Sequence, residues 1–260
     1  MAAAEPPLLE THALTVRAGP VTACRALDLR LASGTCWGIL GRSGAGKSTL
    51  LHTLAGLRAP DEGGVRWQGR DLRTLSRRET ARDIGLVPQG DDVPFPLTVR
   101  DAALAGRHPH RGRWQHETAE DHARVGEALR AVALDGCEDR PLDTLSGGER
   151  RRLALATLLV QDPAVALCDE PTNHLDPGQQ LAMMTLLHRR FATAGRALVV
   201  VLHDAGLALR CCSHLLLVFG DGRTIAGEAA ALGDPTLLGE LYGHPMALVE
   251  GGGLRGFVPR

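Results

Sequence analysis

Nine consecutive residues, Gly41, Arg42, Ser43, Gly44, Ala45, Gly46, Lys47, Ser48 and Thr49, form a glycine-rich stretch that closes on a lysine and two hydroxyls. Glycines let a backbone turn tightly and aim successive N–H groups inward, so that an anion can sit on the N-terminus of the next helix. The spacing fits G-x-x-x-x-G-K-[ST]. The flanks supply the context this pattern needs, an apolar strand over residues 35–40 and a helix over residues 48–55. The expected chemistry is nucleotide binding, with Lys47 reaching the β- and γ-phosphates and the Ser48 hydroxyl ligating Mg²⁺. Lys and Arg together number 29, yet Lys47 is the only lysine in the chain. A compact ammonium fits inside a backbone cradle where a planar guanidinium fork does not.

A second set of residues could act on the bound phosphate. Residues 165–170, Val-Ala-Leu-Cys-Asp-Glu, read as an apolar strand ending in two acids. At such a strand end Asp169 can hold Mg²⁺ through its water shell, and Glu170 can orient or deprotonate an attacking water. Two adjacent acids also occur in ordinary solvated turns, so this pair alone does not decide. Leu145, Ser146, Gly147, Gly148 and Glu149 add a hydroxyl and backbone N–H groups at a helix start. Ser146 is placed as its N-cap and Glu149 as the return partner of a capping box. One phosphate loop does not need a second anion site for the same nucleotide, so this site suits a nucleotide held by another subunit.

The elements that must position these groups follow from patterning. Residues 8–16 and 25–31 alternate apolar and polar, as half-buried antiparallel strands do. Residues 65–68 and 84–88 are further short strands, and residues 90–96 read as a surface loop. From about residue 98 to 161 apolar residues fall at helical steps, with residues 108–114 as an exposed loop. Beyond that, strands at 164–168, 197–202 and 214–219 alternate with helices at 179–193 and 205–211, and residues 221–225 close a hairpin. Val- and Leu-rich strands without alternation predict a parallel sheet covered on both faces. The expected class is α/β, a P-loop ATPase core with a mainly parallel sheet, an N-terminal antiparallel β layer and an inserted helical subdomain. Its parts are a core over 1–97 and 161–227, the helical subdomain over 98–160 and a C-terminal extension over 228–260. The tail at residues 251–256 is expected to be mobile at its glycines.

Bulk properties set limits. The formal net charge of −1 gives no basic field for nucleic acid or an anionic membrane. Six cysteines (24, 36, 137, 168, 211 and 212) show no C-x-x-C spacing and read as small core residues in a reducing compartment. Residues 1–7 lack a signal-peptide layout, and no apolar run approaches the roughly 18 residues of a membrane span.

Taken in chain order, the 41–49 loop, Gln89, the 145–149 stretch, Asp169-Glu170, the stretch from Asn173 to Asp176 and His203 resemble the nucleotide-binding subunit of an ABC transporter. The resemblance covers about residues 8–243. It implies ATP and Mg²⁺ as cofactors, with Ser48, Gln89 and Asp169 around the metal and Glu170, His203 and Gln89 as the catalytic group. It further implies a homodimer in which Ser146 to Gly148 contact the γ-phosphate of the opposite subunit, Asp176 lines the seam and His203 senses the γ-phosphate. The implied partners are an integral membrane permease and, indirectly, a periplasmic binding protein, with no nucleic acid. The implied location is the cytoplasmic face of the inner membrane, held there by the permease.

Residues 106–110, Gly-Arg-His-Pro-His, after residues 95–99, Phe-Pro-Leu-Thr-Val, resemble the ATPases of importers for metal chelates such as cobalamin, ferric siderophores or haem. Residues 171–176 fit that group but also resemble soluble ABC proteins that act on ribosomes, which is the alternative reading. The family stacks adenine on an aromatic residue near Arg17, and no aromatic residue precedes Trp37 here. Arg17 is therefore expected to stack its guanidinium on the base, unless base contact is weak.

Several residues have plainer readings. His108, His110, His116 and His122 fit a solvated loop better than a metal site. Arg150, Arg151 and Arg152 read as charged surface with intersubunit pairing, because three successive helical residues do not share a face. Cys211 and Cys212 read as core packing, Trp37 as buried strand, and Phe95 and Trp114 as loop aromatics open to either a partner or solvent.

Overall fold

The computed structural model describes residues 6–90, 97–112, 115–251 and 254–260. Its first layer is antiparallel. Strands β1 (Leu9–Ala18) and β2 (Val21–Leu27) pair with each other, and the two-residue β3 (Arg30–Leu31) pairs with β1. The chain then enters the main sheet as β4 (Cys36–Leu40), passes through the 41–46 loop and forms α1 (Lys47–Leu54). It returns to the first layer as β5 (Glu62–Trp67) and β6 (Arg70–Asp71). Next come α2 (Arg77–Asp83), which the sequence pattern had not marked, and β7 (Ile84–Val87). A Ser76–Glu79 capping box explains α2, whose residues are too polar to show an apolar period.

Three helices follow: α3 (Val99–Leu104), α4 (Ala119–Ala131) and α5 (Gly147–Gln161). Each starts from a hydroxyl N-cap with a reciprocal acid, Thr98 with Asp101, Thr118 with Asp121 and Ser146 with Glu149. The chain continues as β8 (Val165–Asp169), α6 (Pro177–Phe191), β9 (Ala197–Val201), α7 (Ala205–Cys211), β10 (His214–Val218) and β11 (Thr224–Glu228). The main sheet runs β11-β10-β4-β9-β8-β7, parallel throughout except for the β10–β11 hairpin.

This sheet is apolar on both faces, as its unalternating strands predicted. Cys36, Leu40, Ala166, Cys168, Leu198 and Val200 join the core beneath the helices, with Phe191 and Leu155. Their neighbours along the same strands, Trp37, Ile39, Val165, Leu167, Val199 and Val201, pack with α1 and the antiparallel layer. Trp37 is buried strand, stacked on His214 with ring centres 4.7 Å apart.

Beyond β11 lie α8 (Ala229–Leu232), α9 (Pro235–Tyr242) and a hairpin of β12 (Met246–Gly251) and β13 (Leu254–Pro259). In the hairpin Gly251 pairs with Leu254 and the ladder runs on to Met246–Pro259, pairing the sequence pattern does not show. Residues 252 and 253 lie outside the described residues, as do 91–96, 113 and 114, hence also Phe95 and Trp114. No helix among the described residues is long and apolar enough to cross a membrane.

Candidate active site

Strands β4, β7, β8 and β9 all end at one edge of the sheet, and every residue expected to touch phosphate or water, apart from the 145–149 stretch, lies at or just after one of those ends. After β4 the chain passes so close to β10 that a Cβ on Gly41 would lie 2.4 Å from the Val218 carbonyl oxygen. Gly46, the N-cap of α1, has φ +89°, and a Cβ there would lie 2.6 Å from Ala23 Cβ. Both positions require glycine. Arg42, Ser43 and Gly44 are exposed, Ala45 is buried, and Ser48 and Thr49 are half-buried in the first turn of α1.

Lys47 is only 6% exposed, and its Nζ donates to the carbonyl oxygens of Gly41 at 2.8 Å and Arg42 at 2.9 Å. Burial lowers its pKa, opposed by the negative charges of Glu170 and Asp169. The lysine thus sits in its own loop, facing the two acids across it. Burial raises the pKa of Asp169, opposed first by the neighbouring Ser48 hydroxyl. Both Asp169 carboxylate oxygens are buried and take no hydrogen bond among the described residues. An orphaned carboxylate beside a hydroxyl matches what a hard, oxygen-seeking cation needs.

Glu170 is the hub of the site. Its backbone is left-handed, with φ +51°, and its side chain is nearly buried. Its Oε1 lies 2.5 Å from His203 Nε2, while Oε2 accepts from Gln89 Nε2 at 3.0 Å and from Asn173 Nδ2. The structure therefore brings together Gln89, Glu170 and His203, three residues far apart in sequence. It adds Asn173, whose sequence position marks it only as the start of the stretch that ends at Asp176. Nothing in the sequence shows that a turn after β8 folds this amide back onto the acid three residues earlier.

The 145–149 stretch forms the start of α5 as expected. Leu145 is buried, Ser146 and Gly147 are exposed, and Gly148 is half-buried, with a Cβ position 3.2 Å from the His174 carbonyl oxygen. The Ser146 Oγ and N both donate to Glu149 Oε2 at 2.8 Å, and Arg140 Nη1 donates to Glu149 Oε1 at 2.9 Å. The Ser146 backbone N–H and hydroxyl, then Arg140, hold the Glu149 carboxyl down at about 2. Asp176 is exposed and caps α6 by accepting from the Gln179 N–H at 2.9 Å.

Two plainer readings need correction. Arg151 is not charged surface: it is 2% exposed and donates to the main-chain oxygens of Pro88, Asp169 and Glu170. A run of three arginines carries no sign of which one turns inward. His110 is not free in solvent either, because its Nε2 lies 2.7 Å from the Gln161 carbonyl oxygen at the end of α5. His122 does not lie in a loop but within α4. The six cysteines are free thiols, and Cys212 lies 3.7 Å from Cys36 in the core.

Comparison with known proteins identifies relatives of this chain. The ABC transporter family profile matches residues 24–173. The achromobactin transport ATP-binding protein CbrD of Dickeya dadantii is 34% identical over 90% of this chain and 87% of its own length. The ferric enterobactin transport ATP-binding protein FepC of Escherichia coli is 35% identical over 93% and 89%, and the hemin import ATP-binding protein HmuV of Pseudomonas putida 38% over 91% and 92%. Among solved structures, a chain of an inward-facing ABC transporter described as of metal-chelate type superposes with a TM-score of 0.82. It is 25% identical, and the match covers 97% of both chains. By its profile match and by relatives 34–38% identical over nine-tenths of its length, this chain belongs to the ABC transporter family of ATP-binding proteins.

Proposed function

We propose that the chain is the ATP-hydrolysing subunit of an importer that takes up a metal chelate, a ferric siderophore or haem, through a separate permease. The observation that carries the catalytic part is the convergence of Gln89, Asn173 and His203 on the Glu170 carboxylate, at the sheet edge that also carries Lys47. The cargo class rests on relatives whose names specify achromobactin, ferric enterobactin and hemin. Cobalamin has less support, and the ribosomal alternative is not favoured beside transport relatives of nearly the same length.

In this reading Lys47 leaves the carbonyls of its loop to meet the terminal phosphates, and the loop N–H groups cradle them. Ser48 and Asp169 would hold Mg²⁺, with Gln89 at its edge; the ion supplies charge neutralisation on the phosphate oxygens. Glu170 orients or deprotonates the water, and His203 and Asn173 hold its carboxylate in place. Two copies would bind head to tail, with the exposed Ser146 and Gly147 of one meeting the nucleotide of the other and Asp176 at the seam. Residues 1–97 and 161–227 would act as the core, 98–160 as a moving helical part and 228–260 as an extension. The pair would sit on the cytoplasmic face of the membrane, held by the permease, with the binding protein reached only through it.

Affinity capture of ATP-loaded Glu170→Gln from host membranes, followed by mass spectrometry, tests the transport role. The expected companion is a polytopic permease. Recovery of ribosomes with no integral membrane protein would overturn it.

A further inference from the structure

We propose that Arg151 is a positioning residue for hydrolysis. Its guanidinium clamps the two strand ends that carry Gln89 and Glu170 to the helix whose N-terminus is the second anion site. The proposal rests on the reading of Glu170 as the group that acts on water.

β7 and β8 run side by side, with Val87 opposite Cys168 as their last paired residues. Past that point the two chains leave the ladder, and their carbonyls need other donors. Arg151 supplies all three, alongside the Asn173 N–H that also donates to Glu170 O at 3.2 Å. Its Nη1 donates to Pro88 O at 2.6 Å, its Nε to Glu170 O at 3.1 Å, and its Nη2 to Asp169 O. Pro88 immediately precedes Gln89, so one planar group fixes the backbone at both residues whose side chains meet at 3.0 Å. A single lysine ammonium has no fork with which to reach three acceptors in this way.

Glu170 needs such support. A left-handed backbone is unfavourable for a residue with a Cβ, and Glu170 has φ +51°. Its N–H donates to Val201 O at 3.2 Å and its carbonyl accepts from Arg151, so the turn is held on both sides. Arg151 is the fifth residue of α5, whose N-cap is Ser146. A shift of that helix end when phosphate docks on Ser146 and Gly147 would be carried by a rigid turn and a half of helix directly to the Glu170 backbone. The clamp touches neither the phosphate loop nor Lys47, so it should govern turnover and leave ATP affinity alone.

The test uses Arg151→Gln and Arg151→Lys in the full chain, with Glu170→Gln as reference. Affinity is read with a slowly hydrolysed ATP analogue, turnover as phosphate release at saturating ATP per folded molecule, and folding by thermal melting. The expected result is an analogue Kd within about twofold of wild type. Turnover should fall roughly 10- to 100-fold in Arg151→Gln, the size of effect that small misplacements of a catalytic group produce. Arg151→Lys, which keeps the buried charge, should recover part of it. If Arg151→Gln does not fold, Arg151→Lys alone decides by the same split between affinity and turnover. Wild-type turnover per folded molecule, or an equal loss of affinity and turnover, would overturn the proposal. Should Glu170→Gln itself turn over like wild type, the reading of Glu170 fails first; a dead Glu170→Gln beside normal Arg151 variants sinks the clamp alone.

Discussion

Glu170 and His203 meet at 2.5 Å, and the glutamate's other oxygen is taken by Gln89 and Asn173. Three partners aim the carboxylate, and one acceptor position on Oε1 is left over from them for a water. Glu170→Gln should lower phosphate release by about 10²-fold or more, the usual contribution of a positioned base, while ATP still binds. His203→Ala should give a smaller loss, because Gln89 and Asn173 still hold Oε2. Steady-state turnover beside equilibrium nucleotide binding separates the two effects.

Lys47→Arg is a sharper test of the loop than removal of charge. The ammonium fits between the Gly41 and Arg42 carbonyls, and a guanidinium fork does not fit that space without moving the loop. Nucleotide affinity, measured by calorimetry, should fall by at least about tenfold, the change that follows from losing roughly 1.4 kcal/mol. Affinity equal to wild type would mean that the cradle does not select for lysine.

Arg17 carries the adenine question. Its Nη2 lies 2.9 Å from Glu62 Oε1 in an exposed ion pair, and such pairs are typically worth about 1 kcal/mol or less, so the guanidinium is available to a base. Arg17→Ala should raise the KM for ATP with little change in kcat. An unchanged KM would exclude Arg17 from the adenine site.

Asp121 ties α4 to the turn that follows α3, its Oδ1 accepting from Arg107 Nε at 2.7 Å. Burial pushes its pKa up, but the Arg107 guanidinium and the Thr118 N–H and hydroxyl outweigh this and hold it at about 2, below the usual 3.8. A carboxyl depressed on folding stabilises above its unfolded value and loses that contribution as pH falls towards its folded one. The stability gap between wild type and Asp121→Asn should therefore be full above about pH 4 and shrink towards pH 2. Urea unfolding midpoints measured across that range check it; a gap independent of pH would refute the ion pair's role.

Much of this site was legible because its chemistry requires particular residues at particular spacings. Lys47 after spaced glycines, and two acids after Val-Ala-Leu-Cys, leave few alternatives for a strand–loop–helix unit. The parallel order of the sheet followed from strands that are apolar on both faces. What escaped depends on tertiary contact. Arg151 is flanked by two more arginines, and only the path of β7 beside β8 shows which of the three turns inward. Asn173 reaches Glu170 because the turn between them folds back. The β12–β13 hairpin lies in a glycine-rich tail and was not legible there, since strand pairing is not a local property.

Lys47 has one more consequence. It holds the only side-chain amine in the molecule, nearly buried in the pocket where phosphate is expected, while every other fixed cationic side chain is a guanidinium. Reagents that acylate amines therefore meet a single internal target. The extent of its acylation, read by peptide mass, becomes a footprint of whether the pocket is filled, obtained without labelling the nucleotide or attaching a probe.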